Sequence, residues 1–245
     1  MSAGTSPWDF DATTGYWQEV LPADTPGLAT APPYVRNYAA TLADGRRLIL
    51  PLRATPGDPD ACVASLIANQ ASFATIEALA QCMADASRHL EVDAVVGLPT
   101  LGLAFAPRVA QLLGFDRFIP FGYSRKYWYE DALSVPVKSL TTPGVGKFLY
   151  CDPNLSVLLR ERRVLVVDDA VSTGQTMHSA LALLELCGAK VTAIAVAMRQ
   201  GSIWRERVRR PDGSPIEVLA AFDSPRMRKV PGGWAPEGQE GCGPP

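Results

Sequence analysis

Short apolar runs alternate with amphipathic stretches along most of the chain. Residues 72–90 carry apolar side chains at steps of three and four from Phe73 to Met83, which predicts a helix. Near the start, Asp44-Gly45 between two apolar runs predicts a β-hairpin. Further helices are predicted around 109–113 and at 175–187, and strands at 92–98, 118–121, 147–151, 164–167, 191–197 and 216–222. Because strands that alternate with helices form a parallel sheet covered on both faces, we predict an α/β fold: a Rossmann-like parallel sheet flanked by helices.

The two ends of the chain differ in composition from its middle. Residues 1–33 are rich in proline and lack a sustained period, which predicts a loose N-terminal segment. Residues 231–245 hold five glycines and four prolines, which predicts a flexible tail. Between them we predict a single domain at 34–230, its core at about 72–198 and its small hood at 34–60 and 199–230.

The segment 164–176 is predicted to join a buried strand to two acidic residues and a polar turn that opens a helix. Asp168 and Asp169 end the strand, where parallel sheets bind their ligands. The turn after them opens a helix, so its backbone N–H groups and the helix dipole favour an anion, and Gly174 permits close approach. Paired carboxylates suit the vicinal hydroxyls of a ribose, because an ionised carboxylate accepts hydrogen bonds. Together these features predict a site for a ribose 5-phosphate group.

Two other interpretations of this segment remain open. Paired acids after an apolar strand also occur in receiver domains of two-component signalling, where they bind magnesium. In a receiver domain the acidic pair stands near the start, whereas several strands precede Asp168 and Asp169 here. The other interpretation is an ordinary strand–turn–helix with a serine or threonine N-cap.

The same thirteen residues resemble the signature of type I phosphoribosyltransferases, which bind phosphoribosyl pyrophosphate (PRPP). The layout over roughly 92–198 is most similar to adenine phosphoribosyltransferase. In that family the acids hold the ribose hydroxyls and the turn holds the 5-phosphate. The PRPP-binding residues that the resemblance implies here are Asp168, Asp169, Ala170, Ser172, Thr173, Gly174, Gln175 and Thr176. It also implies Mg²⁺ as a cofactor carried by PRPP, with Asp168 or Asp169 as its candidate protein ligand.

Two more segments fit that layout. Thr100, Leu101 and Gly102 follow the first strand of the predicted sheet, where the family contacts pyrophosphate through backbone groups. This sequence lacks the acidic residue and the arginine that adenine enzymes carry there. Arg125 and Lys126 follow the next strand and match a family pair whose cations meet the pyrophosphate.

The stretch 127–146 corresponds to the family's mobile loop. Its acids Glu130 and Asp131 are our candidates for removing a proton from the base on loop closure. Ser172 stands where hypoxanthine–guanine enzymes carry an aspartate, which favours adenine first and xanthine second as the base. The predicted activity is therefore a phosphoribosyltransferase of purine salvage that releases pyrophosphate. The alternative is a regulatory protein that binds PRPP or nucleotides on the same fold without catalysis.

An arginine-rich stretch follows the predicted core. Its members are Arg205, Arg207, Arg209 and Arg210. Because acids interrupt it and no row of aromatic residues accompanies it, we predict a solvated face rather than a nucleic-acid surface. Trp204 beside it is a candidate for stacking on a nucleobase or for anchoring an interface.

Composition narrows the class of protein. The 245 residues carry 23 basic and 25 acidic side chains, a net charge of −2, which gives no general field for nucleic acid. Apolar runs stay shorter than a membrane-spanning helix requires, and the acidic stretch before Arg36 is not typical of a secretory signal. Five cysteines without a CxxC spacing fit neither a disulfide framework nor a zinc site. We therefore expect a reduced cytoplasmic protein that binds neither nucleic acid nor membrane. The family resemblance implies PRPP and a nucleobase as its partners, and a homodimer.

Overall fold

The structure, a computed structural model, describes residue 8, residues 10–137 and residues 147–238. The α-helices within these ranges are α1 (Phe73–Ser87), α2 (Ala106–Leu112), α3 (Pro153–Ser156) and α4 (Gln175–Leu186). The strands there are β1 (Val20–Leu21), β2 (Asn37–Thr41), β3 (Arg47–Thr55), β4 (Asp58–Ala64), β5 (Ala94–Gly97), β6 (Ile119–Pro120), β7 (Ser134–Val137), β8 (Lys147–Tyr150), β9 (Arg163–Val171), β10 (Lys190–Gln200), β11 (Glu217–Ser224), β12 (Arg226–Val230) and β13 (Gly233–Pro236). The chain divides into two units, one of Leu79–Ala221 and one of Met1–Ala78 with Phe222–Pro245.

The unit Leu79–Ala221 is built on a five-stranded sheet in the order β11-β10-β9-β5-β6. Strand β9 pairs in parallel with β10 on one side and β5 on the other, and β5 pairs in parallel with β6. Residues 164–167 of β9 are completely buried, as expected for a strand covered on both faces. The predicted α/β fold with a parallel sheet and helices is confirmed.

The Asp93 carboxylate, just before β5, binds Arg163, the first residue of β9, and so aligns the starts of the two strands. The Asp93 carboxylate accepts hydrogen bonds from the Arg163 guanidinium at 3.0 Å and from the Arg163 backbone N–H at 2.9 Å. These bonds lower the pKa of Asp93 to about 2. Because the register of β9 decides which residues reach its carboxyl end, this contact helps to place Asp168 there.

Helix α4 packs one face into the core and leaves the other outside. Its buried Met177, Ala180 and Leu184 recur at steps of three and four, whereas His178 is exposed. Gly188, at a φ of +70°, follows the helix end, where a left-handed residue is common. The helix predicted at 175–187 is confirmed. None of the helices in the described parts of the chain combines the length and the apolar character needed to cross a membrane.

The stretch expected to be a mobile loop, 127–146, contains regular structure where the structure describes it. Strand β7 lies within it and pairs antiparallel with β8, forming a two-stranded sheet. The strand predicted at 147–151 therefore exists, but it pairs outside the parallel sheet. The sequence pattern misses β7 because the strand has only four residues and Pro136 interrupts them. The rest of the predicted loop, 138–146, lies outside the described residues.

The other unit holds an antiparallel sheet in the order β1-β3-β4-β12-β13, with β2 paired to β3. The connection between β2 and β3 turns at Asp44-Gly45, and Gly45 adopts the left-handed φ of +87°. Glycine reaches this conformation without a steric penalty. The predicted hairpin is confirmed.

Both segments expected to lack structure contribute strands to this sheet. Strand β1 lies within residues 1–33 and pairs with β3, and β13 lies within residues 231–245 and pairs with β12. The expectation of a loose segment and a flexible tail is therefore wrong at these strands. The stretch 199–230, predicted for the hood, is divided between the two units at Phe222. The domain boundaries themselves stay a prediction.

Candidate functional site

Two carboxyl groups lie at the end of the central strand β9. Asp168 is 6% exposed, and its Oδ1 accepts a hydrogen bond of 2.9 Å from the backbone N–H of Asp169. Asp169 and Ala170 are half-buried. Because β5, β9 and β10 are parallel neighbours, the segments that follow them emerge at the same edge of the sheet.

The surroundings of Asp168 and Asp169 disfavour the ionised form of both carboxyl groups. Burial raises the pKa of Asp168 well above its ordinary value, and the negative charge of Asp169 raises it further. Burial also raises the pKa of Asp169, against the hydrogen bonds that it makes with Asp168 and with the backbone. Cations or hydrogen-bond donors brought by a ligand would relieve this cost, because both favour the charged form.

The loop after β5 reaches the acid pair. Leu98 donates its backbone N–H to the Val167 carbonyl at 2.9 Å, which continues the β5–β9 ladder to the edge of the sheet. Beyond it, the exposed Thr100 precedes a 3-10 turn at Leu101–Ala104, and the buried Gly102 lies directly against Asp168. The structure therefore brings the loop predicted to contact pyrophosphate together with the predicted ribose acids.

The turn between β9 and α4 carries the features of an anion site. Gly174 adopts a φ of +76° and occupies the N-cap position of α4, with no side chain in the described chain capping the helix there. Ser172, Thr173, Gln175 and Thr176 around it are all half-buried. The interpretation of this turn as an ordinary serine or threonine cap is therefore wrong, because glycine holds the N-cap position. The start of a helix without a side-chain cap is suited to an anion.

Two residues from a later segment support this turn from behind. The Arg207 guanidinium donates a hydrogen bond of 2.9 Å to the Thr173 carbonyl. A Cβ atom at Gly174 would stand 3.2 Å from the backbone of Trp204 and 3.3 Å from Arg207 Cβ. Sequence reasoning missed both supports, because the segment 203–207 lies about thirty residues beyond the turn and carries no motif.

Most arginines of the arginine-rich stretch donate hydrogen bonds to backbone carbonyl groups. Besides Arg207, Arg209 donates to the Gly213 carbonyl at 2.9 Å, and Arg210 donates to the carbonyls of Val191 and Thr192. Trp204 is 6% exposed and donates its indole N–H to Gly201 at 3.0 Å. It packs in the core of this unit, so the suggestions that it stacks on a base or anchors an interface are wrong.

The predicted pyrophosphate cations lie in the segment that follows β6. Arg125 and Lys126 are exposed, and the Arg125 guanidinium pairs with the Asp131 carboxylate at 2.8 Å. Tyr129 donates its backbone N–H to the Lys126 carbonyl, which folds the segment back on itself. Glu130 is exposed next to this pair. The structure thus joins two of the predicted catalytic residues, Arg125 and Asp131, to each other.

Tyr123, which the sequence did not single out, links this segment to the acids. Burial raises its pKa to about 12, and the charges of Asp168 and Asp169 contribute to the rise. The Lys147 ammonium lies 3.3 Å from the centroid of the Tyr123 ring. The only sequence signal for Tyr123 is its place two residues before Arg125; Lys147 has none.

A separate groove of about 1220 Å³ runs along the outer face of α4. It is lined by residues of β7, α4 and the segment 206–216. Among the predicted PRPP-binding residues Gln175 is the one that lines it. The groove is therefore not the predicted site.

Polar residues gathered beyond the carboxyl ends of parallel strands define a ligand-binding protein of the open α/β-sheet class, here with a turn suited to an anion. Residues 63–215, more than half of the chain, match the family model described as phosphoribosyl transferase domain. The chain belongs to this family. The resemblance found in residues 164–176 is confirmed.

Known relatives include enzymes for different purines. A hypoxanthine/guanine phosphoribosyltransferase of Methanocella arvoryzae is 30% identical over 134 residues, which are 55% of this chain and 64% of that protein. An adenine phosphoribosyltransferase of Nocardia farcinica is 33% identical over 153 residues, 59% of this chain and 70% of that protein. The solved adenine phosphoribosyltransferase of Rhodothermus marinus is 15% identical with a TM-score of 0.53, covering 71% of this chain and 93% of that one, a likeness of fold.

Proposed function

We propose that this protein transfers the 5-phosphoribosyl group of PRPP to a ring nitrogen of a purine and releases pyrophosphate. The observation that carries the proposal is the strand–turn–helix in which Asp168 and Asp169 precede the uncapped start of α4. A ribose 5-phosphate needs hydroxyl acceptors beside a phosphate cradle, and this segment supplies both. In this proposal the turn Ser172–Thr176 binds the 5-phosphate, and the two carboxylates bind the ribose hydroxyls.

The acids also have a part in the chemistry. Breaking the bond between C1 and the pyrophosphate oxygen leaves a ribose with the character of a cation. Asp168 and Asp169, once ionised, stabilise that developing charge from a buried position, where electrostatic interactions are strong. The same burial that raises their pKa therefore increases their effect on the transition state.

The other end of PRPP needs positive charge. Arg125 and Lys126 lie on the segment after β6, next to the loop that touches Asp168, since β5 and β6 are neighbours. Exposed side chains there can turn toward a pyrophosphate, and Arg125 would exchange its Asp131 partner for phosphate oxygens. The backbone of Thr100–Gly102 is proposed to meet the same group.

Magnesium fits this arrangement as an ion that arrives with PRPP. In the described parts of the chain no group of three or more His, Cys, Asp or Glu side chains could hold a metal alone. Asp168 and Asp169 offer the oxygen donors that Mg²⁺ prefers, alongside phosphate oxygens. When bound, the ion neutralises charge on the departing pyrophosphate.

The base is proposed to be adenine first, with xanthine second. Ser172, at the start of the turn, has no useful basicity near neutral pH, so proton removal falls to an acid outside the motif. Glu130 and Asp131, on the same exposed segment, are our candidates, and Asp131 pairs with Arg125 until that guanidinium turns to the pyrophosphate. We also propose a cytoplasmic homodimer; the free thiols of Cys62, Cys82, Cys151 and Cys187 are in keeping with a reducing compartment.

A pyrophosphate-release assay with PRPP, Mg²⁺ and a panel of bases tests the proposal. The panel holds adenine, hypoxanthine, guanine, xanthine, uracil and orotate, and each product is identified by mass. We expect turnover with a purine, highest kcat/KM with adenine, and none in the Asp168→Asn variant. Turnover with a pyrimidine alone would refute the purine assignment, and PRPP binding without any product would favour the regulatory alternative.

A further inference from the structure

An arc of the chain after β6, residues 122–128, carries the exposed Arg125 and Lys126 between its two ends, and we call it the cation arc. Its first residue, Gly122, forms an antiparallel bridge with Tyr150. The Gly122 N–H donates to the Tyr150 carbonyl at 3.1 Å, and the Tyr150 N–H donates to the Gly122 carbonyl at 2.8 Å. This bridge attaches the start of the cation arc to the last residue of β8.

A side chain attaches the other end of the cation arc. The indole N–H of Trp128 donates a hydrogen bond of 3.2 Å to Oδ2 of Asp152. The Trp128 ring is 51% exposed and lies edge-on to the Tyr129 ring at 5.9 Å, and the Tyr129 ring lies 6.0 Å from the ring of Tyr150. One short stretch of the chain therefore holds both ends of the cation arc, since Tyr150 and Asp152 are two residues apart.

Asp152 is itself fixed, because it is the N-cap residue of α3. Its Oδ1 accepts the backbone N–H of Asn154 at 2.9 Å, and its carbonyl accepts the backbone N–H groups of Leu155 and Ser156 at 2.9 Å each. One carboxylate oxygen thus caps the helix while the other receives Trp128. Since a carboxylate is a stronger acceptor than a neutral group, this half-buried side chain is a firm attachment for the indole.

We propose that Trp128 and Asp152 are positioning residues, which hold the two cations of the arc in place for the pyrophosphate of PRPP. This role rests on the proposed function. A segment that is attached at both ends loses less conformational entropy when its cations meet an anion, so the attachment strengthens that contact. Loss of the hydrogen bond between Trp128 and Asp152 leaves one end of the cation arc free.

Two substitutions remove this hydrogen bond and preserve its surroundings. Trp128→Phe keeps an aromatic ring but has no N–H donor. Asp152→Asn keeps an oxygen for the N-cap, where asparagine is as favourable as aspartate, and places an amide group that cannot accept where Oδ2 was. Tyr127→Phe is the control, because it removes a hydroxyl group from the neighbouring side chain, which is 96% exposed.

Limited proteolysis of the unliganded full-length protein tests the attachment without any catalysis. Trypsin cuts after Arg125 and Lys126, and a held segment is cut through local opening. Relative to sites outside the cation arc, we expect cleavage there to be about 3–10-fold faster in Trp128→Phe, in Asp152→Asn and in the double variant alike. Unchanged cleavage in either single variant, effects that multiply in the double variant, or an equal rise in Tyr127→Phe would overturn the proposal.

Steady-state kinetics test what the attachment does. Because the nucleotide product lacks pyrophosphate, poorly held cations should lower kcat and leave the affinity for the nucleoside monophosphate unchanged. We expect kcat to fall by about 3–10-fold in Trp128→Phe and in Asp152→Asn, with no further loss in the double variant. An unchanged kcat, or an equal loss of product affinity, would overturn the positioning role.

A parent protein without turnover would refute the proposed function, and pyrophosphate would then decide the positioning role. Magnesium pyrophosphate should slow trypsin cleavage of the cation arc in the parent and slow it less in Trp128→Phe and Asp152→Asn. Equal slowing in the parent and in both variants, or no slowing in the parent, would overturn the proposal.

Discussion

Gly102 touches Asp168 so closely that no side chain fits between them. A Cβ atom at position 102 would stand 2.7 Å from Asp168 Oδ1, 2.8 Å from Asp168 Cα and 3.0 Å from the Val167 carbonyl oxygen. Backbone atoms are among these neighbours, so the clash cannot be relieved by turning a flexible side chain. The loop after β5 and the acid on β9 therefore have a fixed relative position.

The first prediction concerns this contact. Gly102→Ala should displace the loop or Asp168, lower the free energy of unfolding by about 1–3 kcal/mol and remove most of the Tm increase that PRPP with Mg²⁺ gives the parent. Gly122→Ala is the control, because a Cβ atom there meets nothing within 4 Å. Thermal melts with and without ligand provide the measurement; a full ligand response in Gly102→Ala would contradict the prediction.

The second prediction is that Asp168→Asn stabilises the unliganded protein above pH 4. The folded-state pKa of Asp168 is raised above its ordinary value of 3.8. As pH rises from 3.8 through the folded value, the unfolded chain ionises first, so the parent loses stability over this interval. The asparagine keeps the Oδ1 acceptor without the charge. We expect its Tm to match the parent near pH 3 and to exceed it by several degrees at pH 8, with PRPP binding lost.

Asp93→Asn should change the Tm at pH 8 in the direction opposite to Asp168→Asn. The folded-state pKa of Asp93 is lowered from 3.8 to about 2, so its contribution to stability is present above pH 4 and is lost as pH falls from 4 to 2. This variant should melt below the parent at pH 8 and approach it at pH 2. A Tm of Asp168→Asn below the parent at pH 8 would contradict the buried-charge argument.

The third prediction assigns Arg207 a positioning role in the phosphate turn. Arg207→Met removes the hydrogen bond to the Thr173 carbonyl and should raise the KM for PRPP by about 3–10-fold, with a smaller change in kcat. Arg205→Met is the control, since Arg205 lies over the Trp204 ring at 5.3 Å rather than against the turn. Steady-state kinetics measure both. A KM rise of equal size in Arg205→Met would indicate a general charge effect.

The fourth prediction distinguishes contacts with the pyrophosphate of PRPP from contacts with the nucleotide product. Lys126→Ala should lower kcat by at least about tenfold and leave the affinity for the nucleoside monophosphate product unchanged, because the product lacks pyrophosphate. Lys190→Ala removes a cation that begins β10, at the opposite edge of the sheet, and pairs with Glu161 at 2.6 Å. It should change neither quantity. Loss of product affinity with an unchanged rate in Lys126→Ala would overturn its assignment.

The sequence predicts local features of this fold better than distant ones. The apolar run at 164–167, the acids, the glycine turn and the helix that follows are all local in the chain, and each takes the predicted form. Strands β12 and β13 were missed because their stability comes from pairing: β12 lies beside β4, which is distant in the sequence. Gly232, Gly233 and Pro231 around β13 favour a turn until those partners are known.

The candidate site shows the same limit. Asp168, Asp169 and the turn could be proposed from their spacing, and Arg125 from the family resemblance together with its place after a strand. The support of the turn by Arg207, and the contact of Tyr123 with Lys147, depend on tertiary packing that no spacing records. The burial of Trp204 likewise depends on tertiary packing, since its backbone lies 3.2 Å from where a Cβ atom of Gly174 would stand.

The raised pKa of both Asp168 and Asp169 makes substrate capture a proton-exchange reaction. A ligand that brings hydroxyl donors or a cation to the pair favours its ionised form, so binding expels a proton at any pH at which the unliganded pair is protonated. Calorimetry of PRPP with Mg²⁺ in buffers of different ionisation enthalpy should detect this release. Below the raised pKa, each fall of one pH unit should then weaken binding by up to about tenfold. Protons thus compete with the substrate for this site.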